Sequence, residues 1–287
     1  MAGDHVRARG RSADERAPHR ARRPLLLAAA LAFVAPGVGR PDPAGVDWER
    51  RVVRCAGLGA PSLAESTGNL AAARARTERE ARRAAEEACL VALGTVLVRS
   101  GESARALLDG DAKLRASVAE MVARLARKAV PRYFADGGSG IDLELPLDGD
   151  LSVALLDAAQ PAPSAVVGVP GEVGDPPEPA GILVDASALA VSPALAPQLI
   201  DPEGRTVYGA SMLAPDARAR GAVAYVRGRP ASLDGLKGRL GDAPRVVRAL
   251  RAQDADLVLS PEDARRLRGD PAFAAGRVVV ELAAEAP

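Results

Sequence analysis

Hydrophobic positions recur every three or four residues over 69–99, and this is the strongest pattern in the chain. Between them runs RTEREARRAAEE, a mixed-sign stretch typical of a solvated face with charge pairs four residues apart. The pattern therefore predicts one long helix whose alanine-rich face approaches its partner closely. The predicted buried face consists of Leu70, Ala73, Thr77, Ala81, Ala84, Ala88, Val91, Thr95 and Val98.

The sequence patterns on both sides of this helix predict strands and a second helix. Residues 46–61 predict a strand that runs into a turn at Gly57 and Gly59, and 111–130 predict a helix ended by Pro131. Polar and apolar residues alternate on both sides of the turn 148–150, which predicts an antiparallel hairpin over 141–156.

The C-terminal part predicts short strands at 182–184, on both sides of DPEG at 201–204, at 256–259 and at 277–282. Residues 245–253 fit either a helix or a strand. Ser260, Pro261 and Asp263 form the start signal of a short helix. The expected fold is α+β. An N-terminal domain with a long Ala-rich helix and a second helix on a small antiparallel sheet precedes a C-terminal mixed α+β domain.

The domain limits follow from composition. We expect a signal peptide at 1–39, an N-terminal domain at 46–157, a Pro/Gly-rich linker at 158–180 and a C-terminal domain at 181–285. Seven arginines precede the ten-residue apolar run LLLAAALAFV, as in a secretory signal. The run is too short to span a bilayer, which takes about 20 apolar residues. We expect an exported protein of the periplasm or outer-membrane periphery, without an integral membrane segment after signal cleavage.

Removal of the leader changes which chemistry the chain can carry. The whole chain has a net charge of +1, and residues 1–39 hold seven arginines against three acids, so the remainder carries −3. This balance does not favour nucleic-acid binding. Both histidines, His5 and His19, lie in the leader. The chain that remains after cleavage therefore has no imidazole to serve as a catalytic base or as a metal ligand. We expect no catalytic residues, no metal site and no cofactor.

Cys55 and Cys89 are the two cysteines of the chain. In an exported protein such a pair suggests one disulfide, and two buried free thiols are the alternative. The predicted helix places Cys89 beside its apolar face, where it could meet the strand that carries Cys55.

Acidic residues near Tyr208 are the fallback candidates for a reaction. Asp185, Asp201 and Glu203 would suit a carboxylate-dependent hydrolase if two of them lay ~5–9 Å apart in a cleft. Asp-Pro-Glu-Gly also has the residues of a type I β-turn at each position, and we favour the turn. Aromatic residues are only 2% of the chain and are scattered, which argues against a glycan-binding platform.

Two stretches taken together resemble a known group. They are Gly57-Leu-Gly59 followed by the helix with A-R-x-x-A-E-x-A at 81–88, and GILVDASALAVSPALAPQLIDPEGRTVYG followed by DLVLSPEDARRL. Over roughly 46–285 the chain is similar to bacterial flagellar-assembly and motility-associated envelope proteins of the FlgP/FlgT-like group. It is also similar to small surface lipoproteins that share their N-terminal domain, although no cysteine follows the leader closely. The resemblance implies a non-enzymatic envelope component.

The expected function is therefore a structural or assembly role in the cell envelope, through contacts with envelope proteins or self-association. A motility-associated role is the narrower form of this hypothesis. A peptidoglycan- or glycan-binding protein is the alternative, and a periplasmic hydrolase is the third reading.

Overall fold

In the computed structural model, the described residues form two large sheets and a short two-stranded ribbon, with helices packed on them. The structure describes residues 45–61, 69–159, 180–228 and 234–284. All of them belong to one compact unit, Gly39–Pro287. The fold is α+β, which confirms the predicted class. The predicted signal peptide and nearly all of the predicted linker lie outside the described residues.

Within the described residues up to 159, the N-terminal part alternates strands with four helices. Its elements are β1 (Gly45–Asp47), β2 (Val52–Gly59), α1 (Leu70–Gly94), β3 (Leu97–Arg99), β4 (Glu102–Ser103), α2 (Ala104–Gly110), α3 (Ala112–Lys128), β5 (Arg132–Tyr133), β6 (Ser139–Pro146) and α4 (Gly149–Ala159).

The C-terminal part is richer in strands. Its elements are β7 (Ile182–Asp185), β8 (Leu199–Ile200), β9 (Thr206–Tyr208), α5 (Pro215–Arg220), β10 (Ala224–Arg227), α6 (Lys237–Leu240), β11 (Arg245–Gln253), β12 (Asp256–Leu259), α7 (Pro261–Leu267), α8 (Pro271–Ala274) and β13 (Val278–Leu282). Short 3-10 turns occur at Ala210–Met212 and Asp234–Leu236. Residues 245–253 are thus a strand, and Ser260 caps α7 as predicted by accepting the backbone N–H of Asp263.

The first sheet has the order β1-β2-β6-β5, and all its pairs are antiparallel. Helix α1 lies directly on β2 because two strand residues lack side chains. A Cβ on Gly57 would lie 2.2 Å from the carbonyl oxygen of Ala81, and one on Gly59 would lie 1.8 Å from that of Thr77. The predicted turn at these glycines is therefore wrong. They lie within β2 and permit close backbone contact with the helix.

The buried face of α1 departs from the predicted one at Leu70, which is 74% exposed, and again in its second half. Thr77, Ala81, Ala85 and Cys89 are buried, whereas Val91 is 61% exposed. Four-residue steps join these buried positions, whereas the predicted series left them with the three-residue step from Ala81 to Ala84. The helix ends at Gly94 rather than 99, and a further short helix, α2, lies between it and residue 111.

The predicted hairpin over 141–156 is also wrong. Its first half is β6, but its second half is helix α4. Leu151 and Leu155 are four residues apart. This spacing places both side chains on the same face of a strand, and also on the same face of a helix, so it fits both structures. Burial of Ser152 and Leu156 beside them shows the helical face, since neighbouring residues of a strand point to opposite sides.

In the described ranges, the second sheet has seven strands in the order β10-β13-β7-β11-β12-β8-β9. Strands β10, β13, β7 and β11 are parallel to one another, and β12 returns antiparallel to β11. The inner face contributes to a core continuous with that of the first sheet. None of the helices in the described ranges is long and apolar enough to cross a membrane.

Side-chain hydrogen bonds to the backbone connect the N-terminal part of the unit with the C-terminal part. The hydroxyl of Ser100, after β3, donates to the carbonyl of Gln253 at 3.2 Å and accepts the N–H groups of Ala255 and Asp256. Arg51, after β1, donates to the carbonyl oxygens of Leu147 and Val223. These bonds attach the ribbon and the first sheet to the C-terminal part of the unit.

Candidate functional site

Asp201 holds a turn together and has no free oxygen for chemistry. Its carboxylate accepts the backbone N–H groups of Glu203 and Arg205, at 3.1 and 2.8 Å, and guanidinium bonds from Arg205 and Arg268, at 2.6 and 3.1 Å. Burial alone would raise the pKa of Asp201, but the hydrogen bonds from Arg205 outweigh it and hold the pKa below its ordinary value. The turn closes through the N–H of Gly204, which donates to the carbonyl of Asp201 at 2.9 Å.

Of the other two predicted acids, Glu203 lies in the same turn as Asp201 and shares Arg205 with it, whereas Asp185 lies on a distant strand. Glu203 is exposed and forms an ion pair with Arg205 at 2.9 Å. Asp185 accepts the N–H and hydroxyl of Ser187, which makes it the cap of the following turn. Strands β11 and β12 separate its strand from β8, so at about 4.8 Å a step Asp185 lies roughly 14 Å from Asp201 across the sheet.

The aromatic residues near these acids pack within the protein and do not form an exposed ligand-binding surface. Tyr208 is fully buried, stacks on Phe273 with ring centroids 4.6 Å apart, and donates its hydroxyl to the carbonyl of Ala222. Burial raises the pKa of Tyr208 well above its ordinary value, so the phenol stays protonated. Trp48 packs edge-on against Tyr225, with centroids 5.5 Å apart.

Cys55 and Cys89 form a disulfide between the central strand β2 and helix α1. Both residues are buried, with exposures of 3% and 0%. The bond crosses the interface at which Gly57 and Gly59 allow close approach, and it therefore fixes α1 on its sheet.

The feature most suited to a partner is the second side of β6. Strand β2 pairs with this strand from Ser139 through Pro146, but β5 pairs with only its first two residues, Ser139 and Gly140. In the part of the chain that the structure describes, residues 141–146 thus have no strand neighbour on that side. We call residues 141–146 the open edge.

The hydrogen-bond alternation shows which groups face outward at the open edge. The N–H of Leu147 donates to the carbonyl of Arg51 across β2, and the N–H of Phe134 donates to the carbonyl of Gly138 on the β5 side. Odd-numbered residues therefore bond toward β2, and even-numbered residues bond away from it. The N–H and C=O groups of Asp142 and Glu144 consequently point to the open side.

A cleft of about 260 Å³ lies beside the last residues of the open edge. Partly or fully buried apolar side chains from α3, β6 and α4 line it together with the exposed Pro146, and exposed charged groups surround it. The volume is below the roughly 300–1,000 Å³ of small-molecule pockets and suits one or two side chains. The lining residues are Met121, Arg124, Leu125, Lys128, Leu145, Pro146, Asp148, Asp150 and Leu151.

The acidic side chains on the outer face of the open edge each have an arginine partner. Arg50 holds Glu144 with two bonds of 2.7 and 2.9 Å, and Arg132 holds Asp142 at 2.8 Å. The hydrogen bond from Arg50 lowers the pKa of Glu144. Each acid is therefore bonded to an arginine of its own chain.

Sequence patterns indicated the strand but not its open side. The alternation at 141–147 predicted β6 correctly, yet the neighbours of a strand depend on where distant segments pair. Pro146 was one available signal, since proline within sheets is confined to edges and ends. Among the described residues, no group of three or more His, Cys, Asp or Glu side chains could hold a metal ion.

Comparison with known proteins bears on the C-terminal part. Residues 181–283 match the family model described as Treponema pallidum Tp0624, second domain. This part of the chain is similar to that domain. The description names no activity, and the match covers about a third of the chain. No curated protein matches the chain. The FlgP/FlgT-like resemblance stays a prediction.

Proposed function

We propose that this chain is an exported cell-envelope protein with a structural or assembly role, acting through protein–protein contacts rather than catalysis. The observation that carries the proposal is the open edge of β6 beside an apolar cleft. Unpaired strand edges present a row of backbone donors and acceptors, which is the surface that strand-adding partners use.

Export is supported by two independent features. The basic and apolar pattern of residues 1–39 is that of a secretory signal. The disulfide between Cys55 and Cys89 is of a kind that persists in oxidising compartments and is rare in the cytosol. The periplasm or the periphery of the outer membrane satisfies both features.

A motility-associated role is the narrower form of this proposal. Its support is the resemblance of residues 46–285 to FlgP/FlgT-like proteins. Deletion of the gene, followed by swimming assays and counts of assembled flagella, tests it. Normal motility with normal flagella would leave the envelope role and remove the flagellar one.

The main proposal is tested by fractionation combined with crosslinking in intact cells. We expect the protein in the envelope fraction and a photoreactive residue at Glu144 to give one adduct of constant mass. The same residue at Arg248, which is exposed on the second sheet, is the control and is expected to give none. A cytoplasmic location, or a protein that stays unlinked and monomeric in cells, would refute the proposal.

A further inference from the structure

We infer that the open edge of β6 binds an extended partner strand in which apolar and polar residues alternate. This inference rests on the proposed function and specifies the partner's chemistry. The two donors and two acceptors of Asp142 and Glu144 are spaced by two strand residues, about 6.8 Å. A backbone in extended conformation has the matching spacing.

The two faces of the first sheet determine the side chains of that strand. On the inner face the partner would continue the row of Ile141, Leu143 and Leu145, all buried. Its inward side chains must therefore be apolar, and the one nearest the end of β6 would enter the cleft between Met121 and Leu125. Burial of apolar surface there supplies affinity that backbone bonds alone do not.

On the outer face the partner would lie beside Asp142 and Glu144, which are exposed and paired with arginines. Acidic side chains opposite these residues are disfavoured, and neutral polar or basic ones are accepted. Val130, 83% exposed and two residues before β5, adds apolar surface where the open edge begins. Pro146 lacks an N–H donor and limits the added strand to about six residues.

A second copy of this chain fits the edge less well. Two β6 strands side by side would place the acidic rows of both copies on the same face, with Asp142 and Glu144 of one copy near those of the other. Like charges in cross-strand positions are destabilising, and their arginines are already engaged. The geometry therefore points to a different chain as the partner.

The test uses the full oxidised chain and a displayed library of random ten-residue peptides. We expect selected peptides to alternate apolar and polar residues. Binding of one such peptide is then compared between E144A and E144P by fluorescence anisotropy. Both variants lose the Arg50 ion pair, but only E144P loses the outward N–H, and proline is tolerated at such an edge position. We expect E144P to bind at least about tenfold more weakly, from a lost hydrogen bond and ring obstruction.

Several outcomes would overturn the inference. One is a library that yields no binders with alternating apolar and polar residues. Another is equal peptide affinity of E144A and E144P when thermal melting shows that both variants are folded. A third is a peptide of the same composition, reordered to remove the alternation, that binds as tightly as the selected one. A concentration-dependent dimer that E144P abolishes would replace the partner strand by a second copy. If peptides bind the edge but cells give no adduct at Glu144, the proposed function fails instead. If cells give an adduct but the edge binds no strand, only this inference fails.

Discussion

The guanidinium of Arg51 fills the space in which a side chain on Gly221 would have to lie. A Cβ at position 221 would come within 2.1 Å of Nη2 of Arg51. From that position Arg51 donates to the carbonyl of Leu147 at 2.8 Å and to that of Val223 at 2.5 Å. The pair therefore joins the first sheet to the segment before β10, and burial lowers the pKa of Arg51.

Gly221→Ala should destabilise the protein strongly. The glycine has φ 74°, which strains an L-residue, and the new methyl group would displace Arg51 from its carbonyl partners. The combined loss is roughly 3 kcal/mol. Urea unfolding followed by circular dichroism measures it. Gly110→Ala is the matched control, since its Cβ meets nothing within 4 Å. Equal stability of the two variants would refute the described contact.

The disulfide should contribute roughly 3–4 kcal/mol, as expected for a bond between residues 34 apart in sequence. We expect the double variant Cys55→Ala, Cys89→Ala to lose that amount in urea unfolding. Because both sulfurs are buried, we also expect slow reduction of the native protein and fast reduction in urea. A reductant should change the unfolding midpoint of the wild-type chain and leave that of the double variant unchanged. A variant as stable as the wild type would contradict this account.

The buried tyrosines should make the protein less stable at alkaline pH. Burial raises the pKa of Tyr208 and Tyr225 above the ordinary value of 10.0. As pH rises through 10, the unfolded chain loses phenolic protons that the native chain keeps, so unfolding becomes more favourable. The loss is about 1.4 kcal/mol per tyrosine between pH 8 and 11.

The pH effect is measured as a difference between chains, because burial also lowers the pKa of Arg239 to about 10, and this acts in the opposite direction. Unfolding free energies of the wild type and of Tyr208→Phe are compared from pH 8 to 11. The variant should lose less stability over this range, whatever its starting value. Parallel curves would show that Tyr208 titrates normally.

Backbone amide exchange should distinguish the two sides of β6 in the isolated protein. The N–H groups of Leu143 and Leu145 bond to β2, whereas those of Asp142 and Glu144 face the open side. We expect the even-numbered amides to exchange at least about a hundredfold faster, since exchange of a bonded amide requires local opening. Gly140, which pairs with Arg132, is the even-numbered control and should be protected. Protection of Glu144 comparable to that of Leu143 would show that the edge is covered.

Asp201→Asn should destabilise the protein, whereas Glu203→Ala should have little effect. Asp201 accepts four hydrogen bonds and is buried, but Glu203 is exposed. Because the pKa of Asp201 is lowered in the native state, the ionised carboxylate stabilises the fold at pH values above the ordinary aspartate pKa. This stabilisation is lost as the pH falls and the carboxylate becomes protonated. Thermal melting at pH 7 and pH 3 checks this. A fold unaffected by Asp201→Asn would return the acid to the list of candidate reactive groups.

The turn at Asp201 and the cap at Ser260 were predictable because each depends on residues at most four positions apart. The helix over 70–94 was also predictable, because the three- and four-residue spacing of its apolar positions is a local feature of the sequence. The hairpin prediction failed at Leu151 and Leu155 for a related reason. A spacing of four satisfies both periods, and only the contacts of α4 decide between them.

The sequence by itself determined the α+β class, the helices with strong periodicity and the turn chemistry, because these follow from local spacing and local hydrogen bonds. It also determined that Cys55 and Cys89 were available for a bond. Only the tertiary structure decided that Arg51 lies against Gly221 and bonds Val223, 172 positions away. It also decided that β6 has one open side, because the neighbours of a strand depend on which distant segments pair with it, and no local pattern specifies that choice.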